Sequence, residues 1–345
     1  MKKGIIFLFI INIYGLVISQ TPQTDPHWIM NNTFSDEFNG SRKSIWQNYG
    51  LYDSLGSAIH RPQNIQYGIE TESGRNFLRF IAEVENGTIY SGGIRTGLEF
   101  GGYLGLGYGY YEIEARVLQT PNIVSGLWPA FWTQHSYKPT NSPPYWYEEI
   151  DIFEPCNCQV RANEHEVGYH RRLNDYDSAS INIDPEKHRK TKYNVDMSLW
   201  HKYAIEWLPE RLTFYCDDEA FAVIGPDTLT PYHQNTNLWI DLQTDLDTGG
   251  YCPPDIIEGI LGYFDVNYFR YYQLSCDSVD INEILDYNTY NYTMKKSITL
   301  SGASSLISGE NISLRATDFI KLDVGFEVPI GAELYLDIHP APCDN

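Results

Sequence analysis

Positive charge is scarce in this chain: 24 Lys and Arg stand against 45 Asp and Glu in 345 residues, a formal net charge of −21. So acidic a surface repels a phosphate backbone and excludes nucleic acid as a partner. Long apolar runs are lacking too. Beyond the N-terminal segment nothing approaches the roughly 18 apolar residues of a membrane-spanning helix, so no transmembrane segment is expected. Helical periodicity is nearly absent, which leaves short alternating runs between glycine-rich turns and points to a β-sandwich. Cysteine is limited to six residues. Cys156-x-Cys158 has no second Cys or His pair at ligand spacing, which argues against a structural zinc.

Aromatic residues are abundant. They make up 14% of the chain, with 27 Tyr and 8 Trp, more than a core alone needs, so many should line a binding surface. Lys2 and Lys3 ahead of the apolar run Gly4–Ile18, with the small Ser19 at a cleavage point, read as a secretory signal peptide over 1–19 and hence a secreted protein. The length accommodates one large β domain and a small second one. We place the large domain at 27–276, a polar Asn- and Tyr-rich linker at 277–296 and a small β module of unassigned role at 297–345.

The informative stretch is Tyr147-Glu148-Glu149-Ile150-Asp151-Ile152-Phe153-Glu154, three of whose acids punctuate a strand of buried character ended by Pro155. In a flat strand Glu149 and Asp151 share a face and Glu154 points away. One bulged residue between Asp151 and Glu154 brings all three to one side. The two glutamates then stand about four rises apart, ~13 Å along the backbone. Inward-leaning side chains bring their carboxyl groups to roughly 5 Å, the separation of a retaining glycosidase. Catalysis of that kind needs one ionised carboxylate and one carboxylic acid. We assign Glu149 as nucleophile, Asp151 as orienting and charge-tuning residue, and Glu154 as general acid/base, with no cofactor required. A solvated acidic edge or a site for a divalent cation is the alternative.

Glu149-x-Asp151-x-x-Glu154 resembles the bulged active-site strand of glycoside hydrolase family 16, retaining enzymes on a β-jelly roll that include laminarinases, agarases, porphyranases and carrageenases. Further stretches are similar to that family: Thr33–Gly40 with Trp46, Tyr90–Thr96, Tyr111–Arg116, Gly126–Trp132, Asn163–His170, Trp200–Trp207 and Phe264–Tyr272. The resemblance implies an all-β jelly roll of two antiparallel sheets over about residues 33–272. Trp128 and Trp132 share strand parity, and the resemblance puts them beside the acids as a sugar platform, with core packing as the alternative. Tyr147 shares parity with Glu149 and extends the platform. The resemblance also implies a cleft histidine, for which His170 is preferred over His165, and an arginine contact that Arg95 takes up because Gly93 stands where arginine is common. It further implies a structural calcium, for which Glu37 and Asp265 are the candidates. The expected activity is endo-hydrolysis of a β-linked polysaccharide, β-1,3-glucan first. The alternatives are a red-algal galactan (agar, porphyran or carrageenan) and a non-catalytic glycan-binding jelly roll. The basic run Lys187–Lys192 is the main hint toward a sulfated substrate.

Overall fold

The computed structural model describes residues 21–22, 28–48, 54–55, 58–96, 106–120, 127–137, 145–155, 163–175, 178–182, 189–208, 211–225, 236–244, 258–274, 277–284 and 294–338. The signal-peptide segment 1–19 and the cysteines Cys156, Cys158 and Cys343 lie outside them. Cys216 is a buried free thiol.

Two antiparallel sheets face each other. The larger is built around Gly109–Gln119 and Gly259–Leu274, which pair along most of their length. In the smaller the order runs Ser178–Asn182, Glu164–Asp175, Tyr145–Phe153, Leu127–Tyr137, Asn237–Thr244, Gly93–Thr96 and Trp46–Asn48, with Lys190–Tyr193 also pairing with Glu164–Asp175. Alternation decides which side chains meet between the sheets. Phe131, Ile150, Ile152, Phe153, Ile240 and Leu242 from the smaller sheet pack with Phe80, Ile113, Val117, Tyr203, Phe264 and Phe269 from the larger in one core. This is the expected all-β sandwich.

The chain crosses between the sheets within a few residues. Thr88–Ser91 belongs to the larger sheet and Gly93–Thr96 to the smaller. At the corner between them, a Cβ on Gly92 would stand 2.7 Å from the Asn64 carbonyl oxygen, so only glycine fits.

The C-terminal module has a pairing that alternation alone does not reveal. Ser278–Ile281, Met294–Leu300, Asn311–Leu322 and Glu333–Ile338 form one sheet in which every neighbouring pair is parallel. Its first strand lies inside the stretch read from sequence as linker. Val279 and Ile281 turn into the module's own core, so the polar composition of that stretch concealed a strand. The connections are short, and the chain coils in successive rungs. Ile298 pairs with Ile320 (298 to 320, a period of 22 residues). Gly309 and Gly331 occupy the same corner with φ of 94° and 90°, joined by a 2.9 Å backbone bond.

Candidate active site

The strand Tyr145–Phe153 lies between Leu127–Tyr137 and Glu164–Asp175. Trp132 pairs with Asp151 and the adjacent Phe131 pairs with Phe153, so Ile152 is the extra residue of a bulge. Ile150, Ile152 and Phe153 are all buried in the core. The strand therefore sends two successive side chains inward, and the following Glu154 emerges on the face that carries Glu149 and Asp151. Glu148 takes the opposite face, buried, where it accepts a 2.7 Å hydrogen bond from the Tyr169 hydroxyl.

On the acid face, Asp151 is buried and its Oδ2 stands 2.9 Å from His170 Nε2. Gly168, opposite Asp151, keeps that contact open, because a Cβ there would meet Asp151 Oδ2 at 3.0 Å and His170 Nε2 at 3.1 Å. Glu154 Oε1 accepts from Trp128 Nε1 at 3.2 Å, and its backbone NH donates to the Glu166 carbonyl. Glu149, Asp151 and His170 bring ligand-capable atoms within 4.8 Å of one another, close enough to share protons or to hold a divalent cation.

Burial, with the charges of Asp151 and Glu149 added, holds Glu154 well above the usual carboxylate range. Asp151 is raised too, by burial and by Glu149, while a hydrogen bond with Glu154 and the Arg189 charge oppose the shift. A pair of raised, interacting carboxyl groups keeps a proton available near neutrality.

The other expected residues are placed unequally. Trp128 is half-buried and touches Glu154. Trp132 is on the same side but 7% exposed, its ring stacked on Trp239 at 5.1 Å and 12°, in a cluster with Ala130 apart from the main core. Arg95 lies over the Trp239 ring at 5.0 Å. Tyr147 is on the acid strand opposite Arg172 and Ser136, and its side chain lies outside the described residues. His165 is not in the cleft. It is wholly buried against Phe153 and Tyr203, and desolvation pushes its imidazole down to about 3.

The two residues expected at a calcium site have other partners in this structure. Glu37 receives a two-pronged contact from Arg270 at 2.8 and 2.9 Å. Asp265, fully buried, is forked by Arg79 at 2.6 and 2.7 Å and bonded by Arg116 at 3.1 Å. Guanidinium groups already neutralise both carboxylates, so these two residues do not suit a cation.

Sequence reasoning passed over Asp241, Trp239 and Gln243, although their alternation with Leu238, Ile240 and Leu242 signals a second, polar face on the strand Asn237–Thr244. Arg189 comes from the basic run Lys187–Lys192. About half exposed, it pairs with Glu166 at 3.2 Å, next to Lys190, which is registered with Val167.

Residues 83–244, which include the acid strand, match the family model for glycosyl hydrolases family 16. An endo-1,3-1,4-beta-glycanase of Rhizobium meliloti (strain 1021) is 24% identical over 245 residues, covering 69% of this chain and 45% of the relative. The chain spans less than half the length of the curated relatives it matches. In fold it is similar to the laminarinase of Flavobacterium sp. UMI-01 (TM-score 0.51, 23% identity, 70% of this chain and 99% of that one). It is likewise similar to the kappa-carrageenase of Pseudoalteromonas carrageenovora (TM-score 0.54, 19% identity, 71% and 94%). The segment that matches the model for glycosyl hydrolases family 16 is thus the one that carries the bulged acid strand.

Proposed function

We propose that this protein is a retaining endo-glycosidase that hydrolyses a β-linked polysaccharide, with a β-1,3-glucan as first substrate. The observation that carries the reading is the one-residue bulge at Ile152, which gives Glu149, Asp151 and Glu154 a common face. In the first step a Glu149 oxygen bonds to the anomeric carbon as the glycosidic bond breaks, and Glu154 passes its proton to the departing oxygen. In the second a water attacks the same carbon, gives its proton to Glu154 and frees Glu149. His170 beside Asp151 and Trp128 on Glu154 keep these groups in register. Export after removal of 1–19 brings the enzyme to a polymer too large to enter a cell, and N-terminal sequencing of the mature protein tests this.

A second reading, a sulfated galactan, is favoured by two arginines. The registered row Arg95, Trp239, Trp132, Asp151, Gly168 crosses the cleft, and Arg189 stands just beyond it. A guanidinium at either end suits an anionic sugar. Reducing-sugar release from laminarin, agarose, porphyran and carrageenan, assayed in parallel, separates the readings. Inactivity on laminarin eliminates the first choice, and a product of inverted anomeric configuration by proton NMR eliminates the mechanism. A purely glycan-binding protein would keep its behaviour in the Glu149→Gln variant.

A further inference from the structure

Asp241 is a buried carboxyl on the acid face that the scheme above does not use. It is 0% exposed, in the strand Asn237–Thr244, between Gly93 on one neighbouring strand and Ala130 on the other. Gly93 is small for a reason the geometry supplies: a Cβ there would stand 2.6 Å from the Asp241 Cβ. The space an arginine or any larger residue would occupy is given to this carboxyl.

Its partners lead toward the catalytic row. Trp132 Nε1 donates to Oδ2 at 3.4 Å and Gln243 Nε2 donates to Oδ1 at 3.3 Å. Trp132 is the registered neighbour of Asp151 and carries Trp239 on its face. Fixing the indole edge therefore fixes the plane of a stacked pair that abuts the acid strand.

We propose that Asp241 is a positioning residue for the sugar-binding floor: it holds the Trp132–Trp239 pair in place beside Asp151, and its charge state sets how firmly. This rests on the glycosidase reading for its consequence on turnover, though not for its effect on the indole. Burial pushes the Asp241 carboxyl up to about 7, against the pull of the Gln243 and Trp132 bonds. The ionisable groups around it are His60 behind Gly93, Arg95 over Trp239, and Glu149, Asp151 and His170 beyond Trp132. Ionisation converts both contacts into charge-assisted bonds, which are the stronger kind, so the indole is gripped more tightly above pH 7 than below it.

The sign for stability follows from the raised folded value. The neutral acid suits the buried site, so its stabilising contribution is complete below the unfolded value of roughly 4 and is lost as pH rises through about 7. Asn at this position keeps an acceptor and removes the titration.

The test uses the full chain in two arms. Without any substrate, intrinsic tryptophan fluorescence should titrate with a midpoint near pH 7 in the wild type, and that step should vanish in Asp241→Asn and in Trp132→Phe. With whichever of laminarin, agarose, porphyran or carrageenan is cut, Asp241→Ala should raise KM by about tenfold, the loss of one buried hydrogen bond, while kcat stays within about threefold. Asp241→Asn should restore KM to the wild-type value measured at low pH. Thermal unfolding of each variant identifies any that do not fold. A fluorescence step surviving in Asp241→Asn, or a kcat loss with unchanged KM in Asp241→Ala, overturns the proposal. If none of the four polysaccharides is cut, the glycosidase reading fails, while the fluorescence arm still decides whether Asp241 grips Trp132.

Discussion

Removing Ile152 tests the bulge directly. Phe131 opposes Phe153 and the adjacent Trp132 opposes Asp151, so deletion of the intervening Ile152 would make the pairing regular on both strands. Phe153 would then be the single inward residue after Asp151, and Glu154 would still emerge beside Glu149 and Asp151. The number of rises between the two glutamates is unchanged, because the bulge already absorbs one. The cost falls on stability: a fully buried isoleucine is lost from the core, worth about 2–5 kcal/mol by analogy with large-to-small core changes. At ~2–4 °C per kcal/mol for a domain of this size, the melting temperature should fall by roughly 4–20 °C. Inserting one alanine after Asp151 makes the opposite change, turning Glu154 toward the core. Thermal unfolding followed by circular dichroism, with hydrolysis measured below both midpoints, compares the two. The deletion variant should keep activity to within about a hundredfold, the effect of an ångström of misplacement. The insertion variant should fall to background. A folded deletion variant without activity, beside an active insertion variant, would refute the assignment of faces.

Glu149→Gln should reduce turnover by on the order of 10³-fold or more while glycan binding persists, measured by single-turnover kinetics and equilibrium binding. Because Glu154 is held above the ordinary carboxylate range, the alkaline limb of kcat/KM should lie above that range and disappear in Glu154→Gln, with a rate loss of about 10²–10⁴. His165 is buried neutral, so stability should be full above roughly pH 6.5 and decline as pH falls toward about 3, at up to ~1.4 kcal/mol per pH unit, and His165→Phe should flatten that decline in denaturant titrations. Asp265→Ala should cost about 3–5 kcal/mol by taking from Arg79 its paired carboxylate, while Arg116 keeps Glu70 at 2.6 Å. EDTA should leave both the melting temperature and the hydrolysis rate unchanged, and a loss of rate would indicate a cation among Glu149, Asp151 and His170 instead.

What the amino-acid order discloses depends on how far apart the interacting residues lie. The acid strand is legible because the sorting of its faces is local: Ile150, Ile152 and Phe153 announce one extra inward residue, and the three acids take the remaining side. Partnerships across the sheets are not written that way. Nothing near Glu37 or Asp265 indicates that Arg270, or Arg79 and Arg116, will fork them, since those contacts join residues 233, 186 and 149 positions apart. Asp241 was legible by parity, since Leu238, Ile240 and Leu242 alternate with Asn237, Trp239, Asp241 and Gln243, but its contact with Trp132, 109 positions away, was not. The parallel order of the C-terminal strands was present as the spacing of Ile298 and Ile320 and of Gly309 and Gly331. Alternation reports that a strand exists and not which way its neighbour runs.

The coiled C-terminal strands differ from the sandwich in how they can grow. Each turn of the coil leans on the one before it, and the last leaves Val324 and Ile330 almost fully open to solvent. A fold of that kind has no fixed number of members. Duplicating residues 311–332 would add one more layer in the same register and cover the apolar side chains of its predecessor, so this end of the molecule can lengthen or shorten by whole units without disturbing the enzyme-like body it follows.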